Sequence, residues 1–88
     1  MSEYLLEFYV ARDDDRGASD GGESVRVAAE ELTRRGSAIH VRWSMFVPDE
    51  ETCFVLFEAE SPEAVSDAAV LANLPPVRIN AIRRPPPR

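Results

Sequence analysis

The sequence predicts an α+β domain in which two helices cover one face of a four-stranded antiparallel sheet. Three observations predict it. Four short segments rich in branched and aromatic residues have the two-fold alternation of strands. Two segments repeat apolar residues at helical spacing. The order of the six is β-α-β-β-α-β, with the middle two strands joined tightly as a hairpin. That is the split β-α-β pattern of the ferredoxin-like fold.

Tyr4 to Val10 (YLLEFYV) reads as the first strand. Ala11 to Gly22, with four aspartates and three glycines, reads as a flexible acidic loop. Asp20 followed by Glu23 has capping-box spacing. Val25, Ala28, Ala29 and Leu32 then mark one apolar helix stripe. Arg34 and Arg35 suit the negative end of that helix, and Gly36 is its expected left-handed cap. Ser37 to Val47 reads as the second strand, with Ile39, Val41, Trp43, Met45 and Val47 on one face. Pro48 to Glu51 is turn material, and Thr52 to Ala59 is the third strand. Ser61-Pro62 starts the second helix, whose stripe is Val65, Ala68, Ala69 and Ala72. Asn73 and Pro75-Pro76 end it. Val77 to Ile82 is the fourth strand. Residues 1–82 form one domain, and 83–88 form a Pro/Arg-rich tail.

The chain has 88 residues, so a single small domain with a marginal core is expected. Cys53 is the only cysteine, so no disulfide within the chain reinforces it. A lone thiol and a start without an apolar leader point to a reducing cytoplasm. Even the longest unbroken apolar runs, such as Cys53 to Phe57, are too short to span a bilayer. The net charge of −6, from 16 acidic and 10 basic residues, argues against nucleic acid as the main partner.

The alternation assigns faces. Leu6, Phe8 and Val10, the Ile39–Val47 apolar set, Cys53, Val55, Phe57 and Ala59, and Val77, Ile79 and Ala81 belong under the helices. The other face collects Leu5, Glu7, Tyr9, His40, Arg42, Ser44, Phe54, Leu56, Glu58 and Asn80. An open face of this kind suits a homodimer interface, a lined cavity between two sheets, or both.

His40, Glu7 and Glu58 form the candidate metal or acid–base set. An imidazole with two carboxylates suits a divalent transition ion with open positions. The same groups suit proton transfer, with His40 as base, a glutamate as its orienter, and Tyr9 or Arg42 on an oxyanion. Solvated surface residues on an interface are the bland alternative. Cys53 reads as a small core hydrophobe, and Trp43 as core. Asp13-Asp14-Asp15 lacks the spacing of a calcium loop, and no glycine-rich phosphate loop is present.

One stretch is recognisable as a whole. Val47-Pro48-Asp49-Glu50-Glu51-Thr52-Cys53-Phe54, then Leu56-Phe57-Glu58-Ala59, then Ser61-Pro62-Glu63-Ala64-Val65, resembles a family of small actinobacterial-type proteins. Many of these are called nickel-binding proteins after one member. Tyr4-Leu5-Leu6-Glu7 resembles the family's opening, and Leu74-Pro75 with Ile79 its ending. The resemblance implies a ferredoxin-like homodimer and extends to nickel, with Glu7 and Glu58 at matching motif positions. Three functions follow as expectations. The first is a dimeric protein binding a small ligand or a divalent metal such as nickel, with no organic cofactor. The second is a cofactor-free monooxygenase, isomerase or cyclase. The third is a structural interaction module.

Overall fold

The computed structural model describes residues 1–87. Its elements run β1 (Ser2–Tyr9), α1 (Asp15–Arg34), β2 (Ile39–Val47), a single 3₁₀ turn (Pro48–Glu50), β3 (Thr52–Ala59), α2 (Pro62–Leu71) and β4 (Arg78–Ile82). The sheet order is β2-β3-β1-β4, and every neighbouring pair is antiparallel. The predicted β-α-β-β-α-β arrangement is therefore the observed one. Arg83–Pro87 follow without regular structure. Of the tail expected over 83–88, Arg88 lies outside the described residues.

The core lies between the sheet and the two helices. Leu6, Val55, Phe57 and Ile39 from the sheet meet Val25 of α1 and Val65 of α2, all essentially solvent-free. Tyr4, Phe8 and Val10 extend the same face of β1. No helix among the described residues is long and apolar enough to cross a membrane.

The first helix corrects the sequence reading. Ala11–Gly22 is not a loop throughout: α1 begins at Asp15, and its N-cap is Asp14, not Asp20. The Asp14 carboxylate accepts a hydrogen bond from the Gly17 amide at 2.9 Å, and Asp15 adds a negative charge to the first turn. Both satisfy the positive helix end. Glycine in a helix normally costs up to about 1 kcal/mol. Here Gly21 and Gly22 let the helix lie close on the sheet. A Cβ at Gly21 would sit 2.7 Å from the Phe8 ring, and one at Gly22 would sit 3.2 Å from the Ser44 Oγ. Tertiary approach, not propensity, decides the conformation.

The remaining ends follow local chemistry. Gly36 takes φ 103°, and the Ser37 amide donates back to the Leu32 carbonyl at 3.0 Å, a Schellman closure of α1. Asn73 (φ 58°) and the Leu74→Ala69 bond (2.9 Å) repeat the motif at α2. Ser61 caps α2 by accepting from the Ala64 amide at 3.2 Å, with Pro62 in the first turn. The solvent side of α1 carries ion pairs from Arg26 to Glu23 and Glu30, and from Arg34 and Arg35 to Glu31. Their arginines hold the Glu23 and Glu31 carboxyls below the usual range, chiefly by side-chain hydrogen bonding.

The second strand corrects the face assignment. The β2–β3 register shifts between Val41 and Trp43, leaving Arg42 as an extra residue. A bulge reverses the alternation beyond it. Ile39 and Val41 face the helices as expected. After the bulge Ser44 and Phe46 take that side, while Trp43 and Met45 turn outward opposite Leu56 and Phe54.

The two possible starts of α1 are separable by experiment. Asp14→Ala is expected to lower stability by about 1 kcal/mol in urea unfolding, the usual loss of a helix cap. Asp20→Ala, on the exposed side of the second turn, is expected to leave the midpoint within about 0.5 kcal/mol of wild type.

Candidate functional site: the open sheet face

The face away from the helices is built as rows across β4-β1-β3-β2. One row is Ile82, Glu3, Glu58 and His40. The next is Asn80, Leu5, Leu56 and Trp43, and the third is Arg78, Glu7, Phe54 and Met45. Tyr9 and Thr52 follow. The centre is apolar. Leu56 is only 7% exposed although no helix covers it, because its neighbours on this face shield it. Trp43 and Met45 beside it stand 43% and 53% exposed.

Charged pairs frame the strip. The carboxylates sit on the two central strands and the arginines on the edges or the tail. Arg42 reaches Glu58 at 2.9 Å, Arg78 reaches Glu7 at 3.8 Å, and Arg84 reaches Glu3 at 3.8 Å. The geometry keeps acid groups inside the frame without leaving bare negative charge. Exposed pairs of this kind add little stability, so their effect is on solvation and steering.

The three predicted site residues do not meet within one subunit. His40 and Glu58 are direct cross-strand partners. Glu7 lies two rows away, four residues along β1 from the row of Glu58, which is about 13 Å at strand rise. Ligands of one transition ion crowd far closer than that. Among the described residues no group of three or more His, Cys, Asp or Glu side chains is placed to hold a metal ion. His40 is exposed on the edge strand, and Arg42 is the ion-pair partner of the Glu58 carboxylate. His40 also borders a shallow groove of about 330 Å³ toward α1, with Arg26, Glu30 and Thr33 on its walls.

Cys53 lies on the helix side as expected, 2% exposed. Burial pushes its thiol above the ordinary value. Such a thiol is poorly placed for nucleophilic work, which needs an accessible, electropositive setting.

Trp43 and Met45 are the functional candidates that alternation misplaced. The signal was present in one residue. Phe46 is the apolar member of the otherwise polar set His40, Arg42 and Ser44, and it belongs to the core side once the bulge is counted.

The class of the protein is thus a ferredoxin-like α+β domain with one covered and one uncovered sheet face. It is similar in fold to the crystal structure of SCO4226 from Streptomyces coelicolor A3(2). That likeness has a TM-score of 0.78 at 13% sequence identity, covering 97% of this chain and 100% of that one. At this identity the likeness speaks for the fold alone. No protein-family model and no curated protein sequence matches the chain.

The state of Cys53 gives a pH expectation. Its folded pKa is raised, so the neutral thiol is the favoured form in the native state. The contribution is fully present below the unfolded thiol value, about 8.5, and is lost as pH rises above it. Reaction with a thiol-specific disulfide reagent at pH 8 is expected to follow unfolding. Fast stoichiometric labelling of native protein would show that the site is open.

Proposed function

We propose that the protein works as a homodimer closed through its open sheet faces, and that it binds a small ligand in the space between them. One observation carries this reading: Trp43, Met45, Phe54, Leu56 and Leu5 form a continuous apolar strip on a face that no helix covers. A domain of this size benefits from the buried area that a partner adds. A second copy is the fitting occupant because the frame is self-complementary. Each copy brings both arginines and carboxylates to the rim, already paired, so an isologous contact leaves no net like-charge clash. The face spans roughly 19 by 26 Å from strand spacing and rise, a flat footprint of roughly 500 Å² before side-chain corrugation is counted, against roughly 800 Å² per partner for standard interfaces.

Sedimentation or light scattering tests this reading. Wild-type protein is expected at twice the chain mass in the micromolar range. Trp43→Arg places a charge in the strip and is expected to give monomers that remain folded by circular dichroism. A wild-type monomer at high micromolar concentration would exclude the dimer.

A second reading is a divalent-metal protein, with nickel the candidate ion. The cross-strand pairing of His40 with Glu58 supports it. These two groups offer one nitrogen and one oxygen ligand, and water or the second copy completes the shell. Calorimetric titration of chelator-treated, tag-free protein with nickel is expected to show binding that His40→Ala abolishes. Absence of binding in the wild type would remove nickel from consideration and leave the organic ligand.

A further inference from the structure

One carboxylate of the frame, Glu7, borders the apolar strip along its side instead of closing its end. Glu7 is the direct neighbour of Phe54 on β3 and stands two residues from Tyr9 on its own strand. Cross-strand partners lie about 5 Å apart, and same-face neighbours along a strand about 7 Å. Glu7, Phe54 and Tyr9 therefore form a compact triangle. Trp43 lies on the next diagonal beyond Phe54. The Glu7 side chain is 17% exposed, against 25% for Glu3 and 33% for Glu58. Its ion-pair partner among the described residues is Arg78, 3.8 Å away and 60% exposed. That separation is too long for a hydrogen bond, so the carboxylate keeps its acceptor capacity.

These features define a ligand chemistry. Aromatic ring faces attract cations, modestly at an open site such as Tyr9, 63% exposed, and more strongly where water is excluded. An ionised carboxylate beside them supplies the counter-charge and a charge-assisted hydrogen bond. The overall charge of −6 draws cations toward the surface. An anionic ligand would meet Glu7 as a repulsion, and a neutral one would leave the carboxylate desolvated with only the Arg78 contact at 3.8 Å.

We propose that the open sheet face binds a small organic ammonium ion, seated on Phe54 and Tyr9 with its charge on the Glu7 carboxylate. The ligand displaces the loosely paired Arg78, whose exposed contact is weak. This inference rests on the dimer reading for the wall opposite the ligand; Glu7, Phe54 and Tyr9 come from one subunit.

Trp43 is the only tryptophan, so its emission reports on this face. The experiment is a titration with benzylammonium, the protonated primary amine, at constant ionic strength, followed by tryptophan emission and by calorimetry. Benzoate and sodium chloride are titrated in parallel, and the same samples are sedimented. Saturable binding is expected for the ammonium alone. Glu7→Gln is expected to weaken it by roughly tenfold or more, the scale of a charge-assisted contact. Tyr9→Leu is expected to weaken it several-fold, and both variants should sediment as the wild type does. Absence of saturable ammonium binding by either readout overturns the proposal. So does equal binding of benzoate, or an unchanged affinity in Glu7→Gln. The two readings fail separately. A monomer that binds the ammonium through Glu7 removes the dimer and keeps this site, and a dimer that does not bind it does the reverse.

Discussion

A four-stranded sheet has two faces, and this chain has helices for one of them. That inequality organises the molecule. The helix side collects nearly all the fully buried apolar side chains: Leu6, Phe57, Val55 and Ile39 beneath Val25 and Val65. The other side is left to manage with strand residues alone. Its solution is graded: Leu56 is shielded by its neighbours, Trp43 and Met45 stay half open, and glutamate–arginine pairs ring the strip. The helix-side core is dense because α1 comes so near the sheet, and it comes near because Gly21 and Gly22 present no side chain to Phe8 and Ser44. Local propensity is sacrificed there for contact that propensity cannot see.

The bulge at Arg42 connects this packing to the surface. Without an extra residue, the alternation of β2 would send Trp43 and Met45 under the helices and Phe46 into solvent. The space opposite Gly22 would then have to accept an indole instead of the Ser44 side chain. With the bulge, the small residue meets the close helix and the large ones go outward. The same irregularity thus relieves crowding on one face and furnishes the other with its most conspicuous groups.

Much of the fold was legible because its signals are local. Ser61-Pro62, Gly36 and Asn73 each mark an element end through backbone chemistry that acts within a few residues. The alternation of β1 and β3 placed Leu6, Phe8, Val55, Phe57, Phe54 and Leu56 on their observed faces. What failed was non-local. Asp14 caps a helix whose next turns contain Gly17, Gly21 and Gly22, and glycines read one residue at a time resemble a loop. The register shift in β2 depends on pairing with β3, so nothing within β2 states it outright, although Phe46 breaks the polar set. The candidate site suffered most. His40 and Glu58 prove to be cross-strand neighbours, but Glu7 shares only their face and not their neighbourhood, because face assignment carries no information about distance along a strand.

The bulge has a further consequence at the rim of the sheet. β2 and β4 are edge strands, and a straight edge offers a ladder of free amides and carbonyls to any passing strand. β2 has nine residues, long enough to template such growth, yet its ladder is broken in register at Arg42. β4 is blunted differently: it has five residues, with Pro75 and Pro76 before it and Pro85 to Pro87 after it, and proline has no amide to donate. Each edge thus carries its own stop against open-ended stacking of strands.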